Sequence, residues 1–173
     1  MDPKDRIPGE IPDLDAPRIL RSLVSAGVDF VVIGGIAVVL HGYPRLTRDL
    51  DIAFAHDAGN LEALSGVLIS LGAKLRGVGD DIPFIPDQHM LQGIELLTME
   101  TDAGWLDVHR LPRGIDSYES LRRNAERIPL EDFFILVASP DDLIAMKEIA
   151  GRPLDQADIA ALEAIKRLRA QQR

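Results

Sequence analysis

The sequence predicts a mixed α/β domain with a helical C-terminal region. Short apolar runs rich in β-branched residues, such as Phe30-Val31-Val32-Ile33, stop at glycines and read as buried strands. Between them lie segments whose apolar residues recur at helical spacing. After residue 138 both remaining segments carry helical patterns, and no strand pattern returns. A length of 173 residues with 46% apolar content suits one domain with one sizeable core.

The elements follow in order. Residues 1–15, with Pro3, Pro8 and Pro12, predict an extended surface arm, because proline removes backbone donors and blocks helix interiors. Ile19, Leu20, Leu23 and Val24 predict a helix over 15–26, with Asp15 as cap, Pro17 in the first turn and Gly27 closing it. Residues 30–33 are a strand, 35–41 a helix stopped by Gly42-Tyr43-Pro44, and 49–54 an alternating strand. Leu61, Leu64, Val67 and Leu68 share one face of a helix over 60–71. Residues 74–93, rich in Gly, Pro and Asp, read as a loop with at most a short strand. Two strands, 94–100 and 105–109, flank a hairpin turn at 101–104. A short helix spans 117–125 and a strand 133–138. Ser139-Pro140-Asp141-Asp142 starts a helix running to 150, with Ser as cap, Pro at the first position and acids in the first turn. A last helix over 154–169 carries Ile159, Leu162, Ile165 and Leu168 on one face. The predicted organisation is an arm over 1–15, a core over 16–138, and helices over 139–173 packed on that core.

Composition excludes several functions. The net charge of −9 disfavours a broad nucleic-acid surface, since an acidic chain repels a polyanion. With no cysteine there is no disulfide scaffold, zinc-thiolate site or thiol nucleophile. No stretch approaches the ~18 consecutive apolar residues of a membrane span, and residues 1–17 lack the apolar centre of a signal peptide. A cytoplasmic domain with no membrane partner is the expectation.

Residues 31–54 carry the chemistry. On a strand, Asp49 and Asp51 point to one face while Leu50 and Ile52 bury the other. Two adjacent carboxylates repel unless a cation lies between them, and hard cations such as magnesium prefer oxygen ligands. The plain alternative is a pair of acids on a solvent-facing strand edge. Gly34-Gly35 at the strand-to-helix corner lets a phosphate approach backbone N–H groups, although most such pairs are simple turns. Asp107, between Leu106 and Val108, projects from a strand face in the same way. Three strand carboxylates on one surface match a two-metal phosphoryl-transfer site, whose ions sit ~3.5–4 Å apart.

A hydrophobic strand, Gly34-Gly35, thirteen intervening residues and Asp49-Leu50-Asp51-Ile52 together resemble the signature of the nucleotidyltransferase superfamily. That superfamily includes DNA polymerase beta, the tRNA terminal nucleotidyl transferases, the aminoglycoside nucleotidyltransferases and the minimal nucleotidyltransferases. Arg45-Leu46-Thr47, the segment from Asp142 to Lys147, and Ala150-Gly151-Arg152-Pro153 with Asp155 and Asp158 resemble bacterial members related to abortive-infection toxins. The likeness spans about residues 18–165. It implies a nucleotidyltransferase-like mixed sheet flanked by helices. It also implies transfer of a nucleoside monophosphate from a nucleoside triphosphate to an acceptor hydroxyl, with Mg2+ or Mn2+, releasing pyrophosphate. Asp49, Asp51 and Asp107 would bind metal, with Asp107 also the base. Gly34 and Gly35 would cradle phosphate, and Arg45, Thr47 and Lys147 would lie toward the nucleotide. Many members carry serine after the first glycine, and Gly35 removes that hydroxyl.

Each flanking residue also has a structural reading. Lys147 is either a solvated lysine or a triphosphate contact. Arg152, Asp155 and Asp158 either form an ion-pair network fixing the C-terminal helices or sit beside the nucleotide. Arg45 either neutralises phosphate or pairs with Asp49, and Thr47 bonds its own loop. His41 suits a helix end. Trp105 and His109 share the face of Asp107, where His109 either lines the site or has no role there and Trp105 either stacks on a base or packs in the core. Asp80-Asp81 reads as a solvated turn, and Lys166, Arg167, Arg169 and Arg173 as a basic tail. The acceptor is a protein side chain, an RNA 3′ end or a small molecule. The competing function is a non-catalytic module of the same fold in a toxin–antitoxin pair, and a small phosphohydrolase is a third.

Overall fold

The computed structural model describes residues 13–79 and 84–172. Most of the expected arm, the Asp80-Asp81 turn and Arg173 lie outside the described residues.

Helix α1 (Ala16–Ser25) opens at Asp15, whose carboxylate accepts the Arg18 N–H at 3.1 Å, with Pro17 in its first turn. Strand β1 (Phe30–Ile33) is buried at all four positions and runs straight into helix α2 (Gly34–Leu40). Strand β2 (Asp49–Phe54) pairs antiparallel with β1. Helix α3 (Ala58–Ser70) is capped by Asp57, and a two-residue strand β3 (Lys74–Leu75) follows. Next come helix α4 (Gln88–Gln92) and the hairpin of β4 (Leu96–Thr101) and β5 (Gly104–His109). Helix α5 (Tyr118–Asn124) leads to a second hairpin, β6 (Glu126–Leu130) and β7 (Phe133–Val137). Helices α6 (Pro140–Ala150) and α7 (Pro153–Gln171) end the chain. Ser139 caps α6 and Gly151, at φ +63°, turns the chain between them.

The seven strands form one mixed sheet in the order β3-β4-β5-β2-β1-β7-β6. Two parallel pairings matter, β2 with β5 and β1 with β7. On one face Val32, Ile52, Val108, Leu97 and Val137 join a core shared with Ile19, Leu23, Leu64 and Leu68. The opposite face carries the polar residues of β2 and β5. Helices α6 and α7 pack together, and α6 also meets α2, next to the strand-to-helix corner.

Two elements depart from the sequence expectation. Strand β6 was not anticipated, because Glu126, Arg127 and Pro129 break any apolar alternation. It is an edge strand, where a proline costs no ladder bond. Helix α4 lies inside the segment read as loop, and the short strand allowed there is β3.

Candidate active site

The geometry follows from one register. In the parallel β2–β5 pair, Asp51 stands opposite Asp107 and Asp49 opposite Trp105. Residues two apart on a strand share a face. Asp49, Asp51, Asp107, Trp105 and His109 therefore project on one side, with Leu50, Ile52, Leu106 and Val108 buried on the other. The antiparallel β1–β2 pairing sets Ile33 against Asp51, so the chain enters the Gly34-Gly35 corner beside that carboxylate.

Gly34 is needed there for steric reasons, and Gly35 gives close approach to two side chains. Gly34 has φ +66°, and a Cβ on it would collide with the Asp51 carboxylate. A Cβ on Gly35 would fall 2.6 Å from Arg45 Nη2 and 2.7 Å from Thr47 Oγ1. The hydroxyl of Thr47 in turn donates to the backbone oxygen of Asp49 at 3.2 Å and to its carboxylate at 3.3 Å.

The acids interact electrically. Burial is the largest influence on Asp107, and together with the charges of Asp51 and Asp49 it pushes the carboxyl up to about 6. Arg76 opposes this through its charge and a hydrogen bond from Nη2 to Asp107 Oδ2 at 2.9 Å. Asp107 Oδ1 is buried without a hydrogen-bond partner among the described residues. His109 Nε2 lies 3.2 Å from Asp51 Oδ1. Among the described residues, no three His, Asp or Glu side chains stand close enough to hold a metal ion as they are placed. Arg76 and His109 instead occupy one oxygen each of Asp107 and Asp51.

A buried charge network joins the site to the C-terminal helices. Lys147 is only 5% exposed, so the solvated reading is overturned. Its Nζ donates to Asp158 Oδ2 at 2.6 Å and reaches Asp155 Oδ1 at 3.5 Å. Arg45 pairs with Asp158 rather than with Asp49, Nε to Oδ1 at 3.0 Å, and among the described residues neither atom has a hydrogen bond. Arg152 holds Asp155 through Nε at 2.8 Å and through its backbone N–H at 3.0 Å. The ion-pair reading of Arg152 and Asp155 therefore holds, and the charges of Asp51 and Asp49 are the weakest of the influences on the Arg152 guanidinium. His41 is buried, with Nε2 2.8 Å from the Ala138 carbonyl and Nδ1 3.2 Å from Arg169 and 3.8 Å from Glu126 Oε2. Trp105 is half-buried beneath the Arg76 guanidinium, 4.7 Å from ring centroid to Cζ. Among the described residues, Arg76 is a contributor that no sequence pattern marked. It sits alone in a loop-like segment, 31 residues before its partner.

Comparison with known proteins gives the family and the fold. The family described as "Nucleotidyltransferase of unknown function (DUF6036)" matches residues 20–172. The chain belongs to this nucleotidyltransferase family. Among solved structures, the nucleotidyltransferase is similar to the lincosamide antibiotic adenylyltransferase LnuA in its lincomycin-bound form. The TM-score is 0.61 at 20% identity, covering 88% of this chain and 99% of that one. It is also similar to the antibiotic-resistance factor ANT(2″)-Ia in solution, with TM-score 0.57 and 14% identity over 90% of this chain and 87% of that one. The crystal structure of ANT(2″)-Ia with adenylyl-2″-tobramycin gives TM-score 0.54 at 15% identity, over 90% and 92%. At these identities the likeness is one of fold. No curated protein matches the chain.

Proposed function

We propose that this nucleotidyltransferase moves a nucleoside monophosphate from a nucleoside triphosphate to an acceptor hydroxyl, releasing pyrophosphate, with Mg2+ or Mn2+. The observation that carries the reading is the register that sets Asp107 opposite Asp51, with Asp49 on the same face and Gly34 packed against Asp51. The residues fit a hard dication. They supply carboxylate oxygens whose mutual repulsion a cation relieves, and Asp107 Oδ1 is buried and unpartnered among the described residues. Asp49, Asp51 and Asp107 would hold it after drawing together, with Arg76 and His109 released from Asp107 and Asp51. When bound, a dication neutralises phosphate charge and polarises the α-phosphate.

The chain's own residues supply the rest. Gly34 and Gly35, lacking Cβ atoms, let Asp51, Arg45 and Thr47 approach the corner backbone that would receive the phosphates. Lys147 acts at one remove, since it fixes Asp158, which fixes Arg45 against Gly35. Arg45, Thr47 and Arg152 line the nucleotide side. The acceptor O–H gives its proton to the Asp107 carboxylate, the base of the proposed step. The acceptor oxygen bonds to the α-phosphorus as the bond to the β-phosphate oxygen breaks, and that electron pair leaves on pyrophosphate. The likeness to structures described with lincomycin and adenylyl-2″-tobramycin supports a small-molecule hydroxyl as acceptor. The acidic net charge supports it over a nucleic acid. A cytoplasmic setting suits a triphosphate substrate, and among the described residues no helix is long and apolar enough to cross a membrane.

The test uses α-labelled nucleoside triphosphates with magnesium or manganese, against lincosamides, aminoglycosides and cell lysate. Label on an acceptor with matching pyrophosphate is the expected result. Nucleotide binding with no transfer would instead favour a binding module, as in a toxin–antitoxin pair. Inorganic phosphate without pyrophosphate would indicate hydrolysis.

A further inference from the structure

Arg76 places a fixed cation on the acid face. Its backbone N–H donates to the Thr98 carbonyl at 3.1 Å, which anchors the residue beside β4. Its guanidinium lies over the Trp105 indole and donates to Asp107 Oδ2 at 2.9 Å. Three atoms around this contact are buried and lack hydrogen-bond partners among the described residues: Arg76 Nη1, Trp105 Nε1 and Asp107 Oδ1. An ordinary surface ion pair leaves its spare donors and acceptors in water. Here they are withdrawn from water and unsatisfied, an arrangement that a ligand would complete.

A guanidinium and a dication repel each other and compete for the same carboxylate. We propose that Arg76 is a resident counter-ion of the acid face, which holds Asp107 when no metal is bound, weakens the site for free dication, and yields Asp107 when a metal-bearing triphosphate arrives. This rests on the metal role given above to Asp49, Asp51 and Asp107. It makes Arg76 a positioning residue, because it acts through Asp107 and not on the reacting atoms. The device favours nucleotide and metal arriving together over metal alone.

Trp105 is the only tryptophan in the chain, so its emission reports the stacked guanidinium directly. The experiment titrates Mn2+ alone into the full, nucleotide-free chain and follows free Mn2+ by electron paramagnetic resonance. It compares wild type, Arg76→Gln, Arg76→Lys and Asp51→Asn, with circular dichroism as the folding check. Arg76→Gln is expected to bind Mn2+ roughly tenfold more tightly than wild type, and Arg76→Lys to stay close to wild type. Equal or weaker Mn2+ binding by folded Arg76→Gln overturns the proposal. If Arg76→Gln does not fold, wild-type emission decides: it must shift when Mn2+ and a non-hydrolysable triphosphate are added together, and unchanged emission overturns the proposal. Should neither wild type nor Arg76→Gln show a Mn2+ site that Asp51→Asn removes, the metal reading of the acids fails first and takes this inference with it.

Discussion

At Asp107, burial and two neighbouring carboxylates push in one direction and Arg76 in the other, with burial the largest. The balance has a cost in stability whose sign can be worked out. The folded carboxyl binds its proton at about 6, against 3.8 ordinarily, so the favourable protonated form is full below 3.8 and is lost as pH rises through about 6. Above that range the carboxylate is a liability of up to ~3 kcal/mol in the metal-free protein. Asp107→Asn, which keeps an acceptor for Arg76, should therefore melt several degrees higher than wild type at pH 8, with the margin vanishing near pH 4. Thermal melts in chelator across that range check it, and a margin independent of pH would count against it. Gly34 makes a second prediction. Gly34→Ala should cost about 1–2 kcal/mol for its left-handed backbone alone. It should also displace the Asp51 carboxylate, so transfer activity falls further than the melting temperature explains. Among these residues, Asp49, Asp51, Asp107 and the glycines were legible in the sequence, because strand period and a strand-to-glycine corner are local signals. Arg76 was not, because its role depends on a fold that returns residue 107 to its side.

At the scale of elements, helices α6 and α7 are tied to the strand-to-helix corner by charge rather than by apolar area alone. Lys147, Asp155 and Asp158 are buried polar residues, and Asp158 also faces Arg45. Breaking a buried pair by removing one partner typically costs about 3–5 kcal/mol, since the other charge stays behind. Lys147→Met should therefore destabilise the protein by that order in denaturant titrations, and adding Asp158→Asn should recover part of the loss. A Lys147→Met chain as stable as wild type would mean the network has no structural weight. The ion-pair reading of Arg152, Asp155 and Asp158 was open to the sequence because they lie within two helical turns. The burial of Lys147 was not, because Leu143, Ile144 and Met146 leave its orientation undecided. Strand β2 could be read from Asp-Leu-Asp-Ile alternation, whereas β6 could not, since an exposed edge strand with a proline has no apolar period to read. The parallel β2–β5 register is likewise invisible locally, yet it alone brings Asp107 to Asp51.

For the whole molecule, the net charge of −9 includes three carboxylates gathered on one sheet face, with Arg76, Arg152 and His109 around them. A ligand that binds only the folded chain stabilises it by mass action, about 2.7 kcal/mol at a hundredfold excess over the dissociation constant. Magnesium with a non-hydrolysable nucleoside triphosphate should thus raise the wild-type melting temperature by several degrees, and Asp51→Asn should abolish that rise. Equal rises in both would place the nucleotide elsewhere. The most direct measurement is diffraction from crystals grown with Mn2+ and an α,β-non-hydrolysable triphosphate, recorded at the manganese edge. The account predicts anomalous density between Asp49 and Asp51, with the triphosphate running over Gly34 and Gly35. Manganese and triphosphate bound away from these residues, with the acids left as they are, would contradict it.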